Sequence, residues 1–131
     1  MNTMMVALAC LAFGGGSSLV GQDQVTDKKK DASVWMKAKT EYSRQILLGL
    51  TEGDYDKIKA NAKALNAVNF LEAWARAGGP DYQQQIVLFA TANQELIRQA
   101  EAKNLYGATL AFNQLTVSCV QCHRIVRDKK K

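Results

Sequence analysis

The chain has 131 residues, 47% of them hydrophobic and 22% charged, with a formal net charge of +5. One proline beside four Phe, four Tyr and two Trp excludes collagen-like, mucin-like and disordered chains, and the length is too short for a dinucleotide-binding or barrel enzyme. His123 is the sole histidine, so a centre needing several imidazoles from one chain is excluded as well.

Met4 to Phe13 is an uncharged apolar run, followed by Gly14, Gly15, Gly16, Ser17 and Ser18 and a polar stretch from Gln22. Such a run is too short to span a bilayer, and small residues after it suit a signal peptidase. Residues 1–21 are therefore expected to be an export signal, cleaved after Gly21, that delivers the protein to the periplasm. Two features depart from type: the segment has no Lys or Arg, and Leu19 is bulky for its place before the cut. A lipoprotein site at Cys10 and an apolar first helix are the alternatives. No segment suggests an integral membrane protein.

Residues 22–32 read as a polar, lysine-rich lead-in, and residues 33–131 as one helical domain. Helix one is expected from about Ser33 to Leu50, with Asp31 or Ser33 as N-cap and Thr51-Glu52-Gly53 as the break. Helix two runs from about Asp54 to Ala77, carrying Ile58, Ala62, Leu65, Leu71 and Trp74, and stops at Gly78-Gly79-Pro80. Helix three begins at Pro80 and Asp81, with Ile86, Phe89, Asn93, Leu96, Ile97 and Ala100 at helical spacing. After Asn104 to Gly107 a fourth helix carries Leu110, Phe112, Leu115, Thr116, Cys119, Cys122 and His123 to about Arg127. Strand-like alternation is absent. The fold class is all-α, an up-down-up-down four-helix bundle.

The last helix holds Cys119-Val120-Gln121-Cys122-His123, a C-x-x-C-H motif of the kind that attaches c-type haem. Two thiols add across the haem vinyl groups to form thioethers, and the next side chain presents its imidazole to the iron. The plainer readings are a disulfide beside an unrelated histidine and half of a zinc site. Zinc would need two more strong ligands, and beyond residue 21 the chain has no further Cys or His. Eight residues follow His123, so a sixth ligand is expected from upstream, where Met36 is the one methionine outside the signal. In an antiparallel pairing of helices one and four, at about 1.5 Å rise per residue, Met36 and His123 fall at nearly the same level. Phe112, Thr116 and Cys119 share a helical face with His123, so Phe112 and Thr116, together with Phe89, are candidates to touch the haem. The alternative for each is plain core packing, as it is for Met36.

These residues resemble the class II cytochromes c, four-helix bundles with C-x-x-C-H on the last helix. That class includes the high-spin cytochromes c prime and a low-spin branch in which a methionine near the start of helix one ligates iron. The resemblance covers roughly residues 33–128. Trp35-Met36-Lys37-Ala38-Lys39 is similar to the low-spin branch's ligand region, and Arg127, four after the histidine, matches a basic anchor of the class. It implies a role for Arg127 beside the haem, in propionate pairing or shielding of the proximal face; a helix-end charge facing the dipole is the alternative. One departure is a short loop between helices two and three. The class I pattern, with an early motif and a later methionine, is not matched. The resemblance also implies pairing of two copies through helices one and two, where Ile46, Leu47, Leu48 and Leu50 supply apolar surface.

Lys28-Lys29-Lys30 and Lys129-Lys130-Lys131 hold six of the seventeen basic residues. Without them eleven bases face twelve acids, a balance of −1. The basic excess thus lies at the two ends, which the bundle would bring together beside the haem. It suits steering of an acidic redox partner; two solvated tails are the alternative. With no aromatics among those lysines, nucleic acid is not an expected partner. The expected function is an exported single-electron carrier with one covalent haem c held by His123 and Met36, and not an enzyme. The rival reading is a five-coordinate haem that binds nitric oxide or carbon monoxide. A third is a thiol-disulfide protein using Cys119 and Cys122.

Overall fold

The computed structural model describes the backbone of residues 21–75 and 78–128 and the side chains of residues 34–73 and 78–128. Among the described residues there are four α-helices and no strand: α1 (Gly21–Glu52), α2 (Tyr55–Ala75), α3 (Pro80–Glu101) and α4 (Leu105–Asp128). None of them is long and apolar enough to cross a membrane. The expected export signal, apart from Gly21, lies outside the described residues, as does the final lysine triplet.

Local chemistry sets each break. Gly53 adopts a positive φ of 69°, a left-handed conformation that glycine accepts without a Cβ penalty. Asp54 then caps α2, its Oδ1 accepting the Lys57 N–H at 2.9 Å, which satisfies one of the helix's orphan donors. Gly79 stands at the N-cap of α3 with Pro80 in the first turn and Asp81 beside it. Proline there gives up an N–H that had no partner, and the carboxylate faces the positive end of the dipole. Between α3 and α4, Lys103 takes a φ of 53° and Asn104 caps the next helix through its Oδ1, 3.1 Å from the Gly107 N–H.

The helices pack in chain order, α1 on α2, α2 on α3 and α3 on α4, while α1 and α4 touch only lightly. Ile46 and Leu50 of α1, Ile58, Ala62 and Leu65 of α2, Phe89, Ala92, Leu96, Ile97 and Ala100 of α3, and Ala108, Ala111 and Leu115 of α4 form one continuous core. Asn93 donates from Nδ2 to the Ala62 carbonyl at 2.7 Å, and Asn69 donates to the Ile86 carbonyl at 3.4 Å. These two bonds place α2 and α3 antiparallel.

The expected four helices are present, with three local differences. α1 begins at Gly21 rather than near Ser33, so neither Asp31 nor Ser33 is its N-cap and the lead-in is helical backbone. No proline or glycine interrupts Gln22 to Leu48, and Lys and Gln are good helix formers. Leu71 and Leu110, both in the apolar pattern, are exposed. Of the four apolar residues expected to support pairing of two copies, Ile46 and Leu50 are core, leaving Leu47 and Leu48 on the surface.

Candidate cofactor site

The light contact between α1 and α4 leaves a cavity of about 510 Å³ between residues 36–47 of α1 and residues 112–123 of α4. That volume lies within the roughly 300–1,000 Å³ of cofactor and small-ligand sites. Its α4 wall carries Cys119, Cys122 and His123 with Phe112, Leu115, Thr116 and Ser118; its α1 wall carries Met36, Lys39, Thr40, Ser43, Arg44 and Leu47. Asn69 and Glu72 of α2 and Gln85, Ile86 and Phe89 of α3 complete the lining. Helical period explains the α4 wall. Positions 112, 116, 119 and 123 recur every three or four residues and so share one face.

Of the residues expected at the site, Met36, Phe89, Phe112, Thr116, Cys119, Cys122 and His123 all line this cavity. Arg127 does not: it is exposed in the last turn of α4, where its charge faces the negative end of the helix dipole. Arg44, an arginine that sequence reasoning passed over, lines the cavity instead. Its guanidinium grips Glu41 through Nε at 3.0 Å and Nη2 at 2.7 Å, and with Gln45 it holds that carboxyl down to about 2.

Three of the hydroxyls along the walls are turned onto their own helices. Thr40 donates to the Met36 carbonyl at 2.8 Å, Thr116 to the Phe112 carbonyl at 2.9 Å and Ser118 to the Leu115 carbonyl at 2.7 Å. Back-bonding of this kind satisfies the polar atom locally, so the cavity presents a largely apolar surface. Cys119 and Cys122 are half-buried thiols. Burial pushes the Cys119 thiol up, and the nearby Lys39 charge pulls part of the way back.

The largest feature missed from sequence is polar. Lys39 crosses from α1 to α2, its Nζ 2.5 Å from Glu72 Oε2 and 3.0 Å from Asn69 Oδ1. It also lies 4.5 Å over the Phe89 ring, within cation–π range. Tyr82 donates its hydroxyl to Glu72 Oε1 at 2.6 Å. A signal was available, because 58, 62, 65, 69 and 72 follow one helical stripe, as do 39, 46 and 50. That phase puts Asn69, Glu72 and Lys39 on the buried faces of their helices.

Among the described residues no three His, Cys, Asp or Glu side chains gather to hold a bare metal ion. The donor set instead suits haem: two thiols one helical turn apart, an imidazole beside them, a thioether across the cavity and apolar walls between. Compared with protein-family models, curated proteins and solved structures, the chain matches none.

Proposed function

We propose that this cavity holds one covalently attached haem c and that the protein is an exported carrier of single electrons. The observation that supports it is the meeting of Cys119, Cys122 and His123 from α4 with Met36 from α1 on one apolar cavity. Bound haem supplies an iron that alternates between the ferrous and ferric states. Cys119 and Cys122 would anchor it, each S–H adding across a vinyl group so that sulfur bonds one carbon and the hydrogen goes to the other. His123 would offer the iron an imidazole nitrogen and Met36 a thioether sulfur, both residues lining the cavity. A thioether in that place favours the reduced state relative to a second imidazole. Ile86, Phe89, Phe112 and Leu115 give the cavity apolar walls, which would limit water beside the iron and so lower the reorganisation that electron transfer requires. With His123 and Met36 both holding the iron, no place would be left for a substrate, which favours transfer over catalysis. The exposed Lys37, Arg124 and Arg127 lie on the α1 and α4 segments that flank the cavity and would face an acidic redox partner, with binding that weakens as salt rises.

The test is absorption spectroscopy of oxidised and reduced protein made in a host that attaches haem c. A low-spin spectrum with a sulfur-to-iron charge-transfer band, lost in Met36→Ala, is the expected result. A high-spin spectrum that responds readily to carbon monoxide would overturn the carrier reading in favour of gas binding, and absence of covalent haem would overturn both.

A further inference from the structure

The Lys39–Glu72 pair is expensive to place where it stands. Glu72 is 1% exposed and the Lys39 side chain 13%. In a buried site the cost of stripping water from two charges equals or exceeds their attraction, and apolar residues of similar size serve stability as well or better. The bundle has such residues at the equivalent places further along the same stripes, Ile46 on α1 and Leu65 on α2. The pair also lines the cavity rather than the helix–helix seam alone, and in a low-dielectric wall a charge acts over a longer distance than at the surface. Its influence already reaches the α4 wall, where the Lys39 charge works on the Cys119 sulfur.

We propose that Lys39 and Glu72 act on the reduction potential of the iron held in this cavity with opposite, compensating charges, so that the loss of either one alone shifts it, an inference that rests on the haem reading above. Reduction adds one electron, from an electrode or mediator dye, to ferric iron and removes one positive charge from the cavity. The Lys39 ammonium favours that step and the Glu72 carboxylate opposes it. Tyr82 and Asn69 hold the two in register, Tyr82 by donating to the carboxylate and Asn69 by accepting from the ammonium.

The experiment is redox titration of the loaded protein, with the absorption spectrum as a check on ligation. Glu72→Gln keeps the shape, its one amide oxygen accepting from Lys39 while its NH2 donates to the Tyr82 hydroxyl, but it leaves the ammonium uncompensated, so the midpoint potential rises. Adding Lys39→Met to that variant removes the surplus charge and returns the potential toward wild type. Tyr82→Phe, a milder change that retains the ion pair, leaves the carboxylate less neutralised and moves the potential down. The low-spin spectrum stays the same throughout. Potentials that do not move while haem is attached and ligated as in wild type would overturn this inference alone, since a purely structural pair changes stability without opposite shifts of sign. Wild-type protein that acquires no covalent haem would overturn the inference together with the reading beneath it.

Discussion

Gly49 sits inside α1, where alanine is ordinarily about 1 kcal/mol better than glycine, so helix propensity alone predicts that Gly49→Ala stabilises the protein. The packing predicts the opposite. A Cβ at this position would lie 2.9 Å from Ile58 Cγ1 and 3.2 Å from both Asp54 O and Ile58 N. Two of these neighbours are backbone atoms of the first turn of α2, pinned by the Asp54 N–H to the Gly49 carbonyl at 2.9 Å and the Ile58 N–H to the Asp54 carbonyl at 3.1 Å. The third belongs to a fully buried core residue. Overpacking of this kind costs about 1–3 kcal/mol, and with the backbone unable to give the upper part of that range applies. The net expectation is a loss of about 1–2 kcal/mol, read as a lower urea midpoint at unchanged m-value. Gly53 is the control. An added Cβ there meets nothing within 4 Å, so Gly53→Ala should cost only the left-handed backbone, about 1–2 kcal/mol, and Gly53→Asn less. Gly49→Ala as stable as wild type, or more so, would refute the argument that contact between α1 and α2 requires glycine there.

Three further outcomes follow from the buried polar groups. Lys39→Ala strands the Glu72 carboxylate and should cost about 3–5 kcal/mol, whereas Lys39→Met combined with Glu72→Leu should be neutral or stabilising; equal losses for single and double variants in urea denaturation would contradict it. Asn93→Leu removes both the bond to the Ala62 carbonyl and a buried Oδ1 that has no partner, so its stability should stay within about 1 kcal/mol of wild type; Asn93→Asp, which buries a charge instead, should fail to fold stably. Because burial raises the Cys119 thiol, the folded cofactor-free chain keeps a proton that the unfolded chain releases. That contribution is complete below the unfolded thiol value and lost as pH rises through the folded one, so thermal midpoints should fall above about pH 8.5. Chain whose Cys119 is alkylated or held in a thioether has no proton there to lose, and a matching alkaline fall in it would contradict the assignment.

How much of this was legible in the chain depends on the range of the interaction. Helix three was readable residue by residue, since Ile86, Phe89, Asn93, Leu96, Ile97 and Ala100 are all buried and one face of a helix is a local property of 3.6-residue spacing. Gly78-Gly79-Pro80, Asp54 and Asn104 marked their turns for the same reason, because caps and left-handed residues act within four positions. The C-x-x-C-H motif and its alignment with Phe112 and Thr116 on one face of α4 belong to this class too. What local spacing could not supply was the neighbour across the gap. Leu71 and Leu110 match the apolar pattern, yet no helix among the described residues covers them. Arg44 rather than Arg127 lines the cavity, because that depends on how α1 and α4 diverge. Lys39 and Glu72 are 33 positions apart, and each alone reads as a surface charge. Only the crossing of α1 over α2 removes both from water and turns them into a single buried pair, because desolvation is decided by what packs around a side chain and not by its place in the sequence.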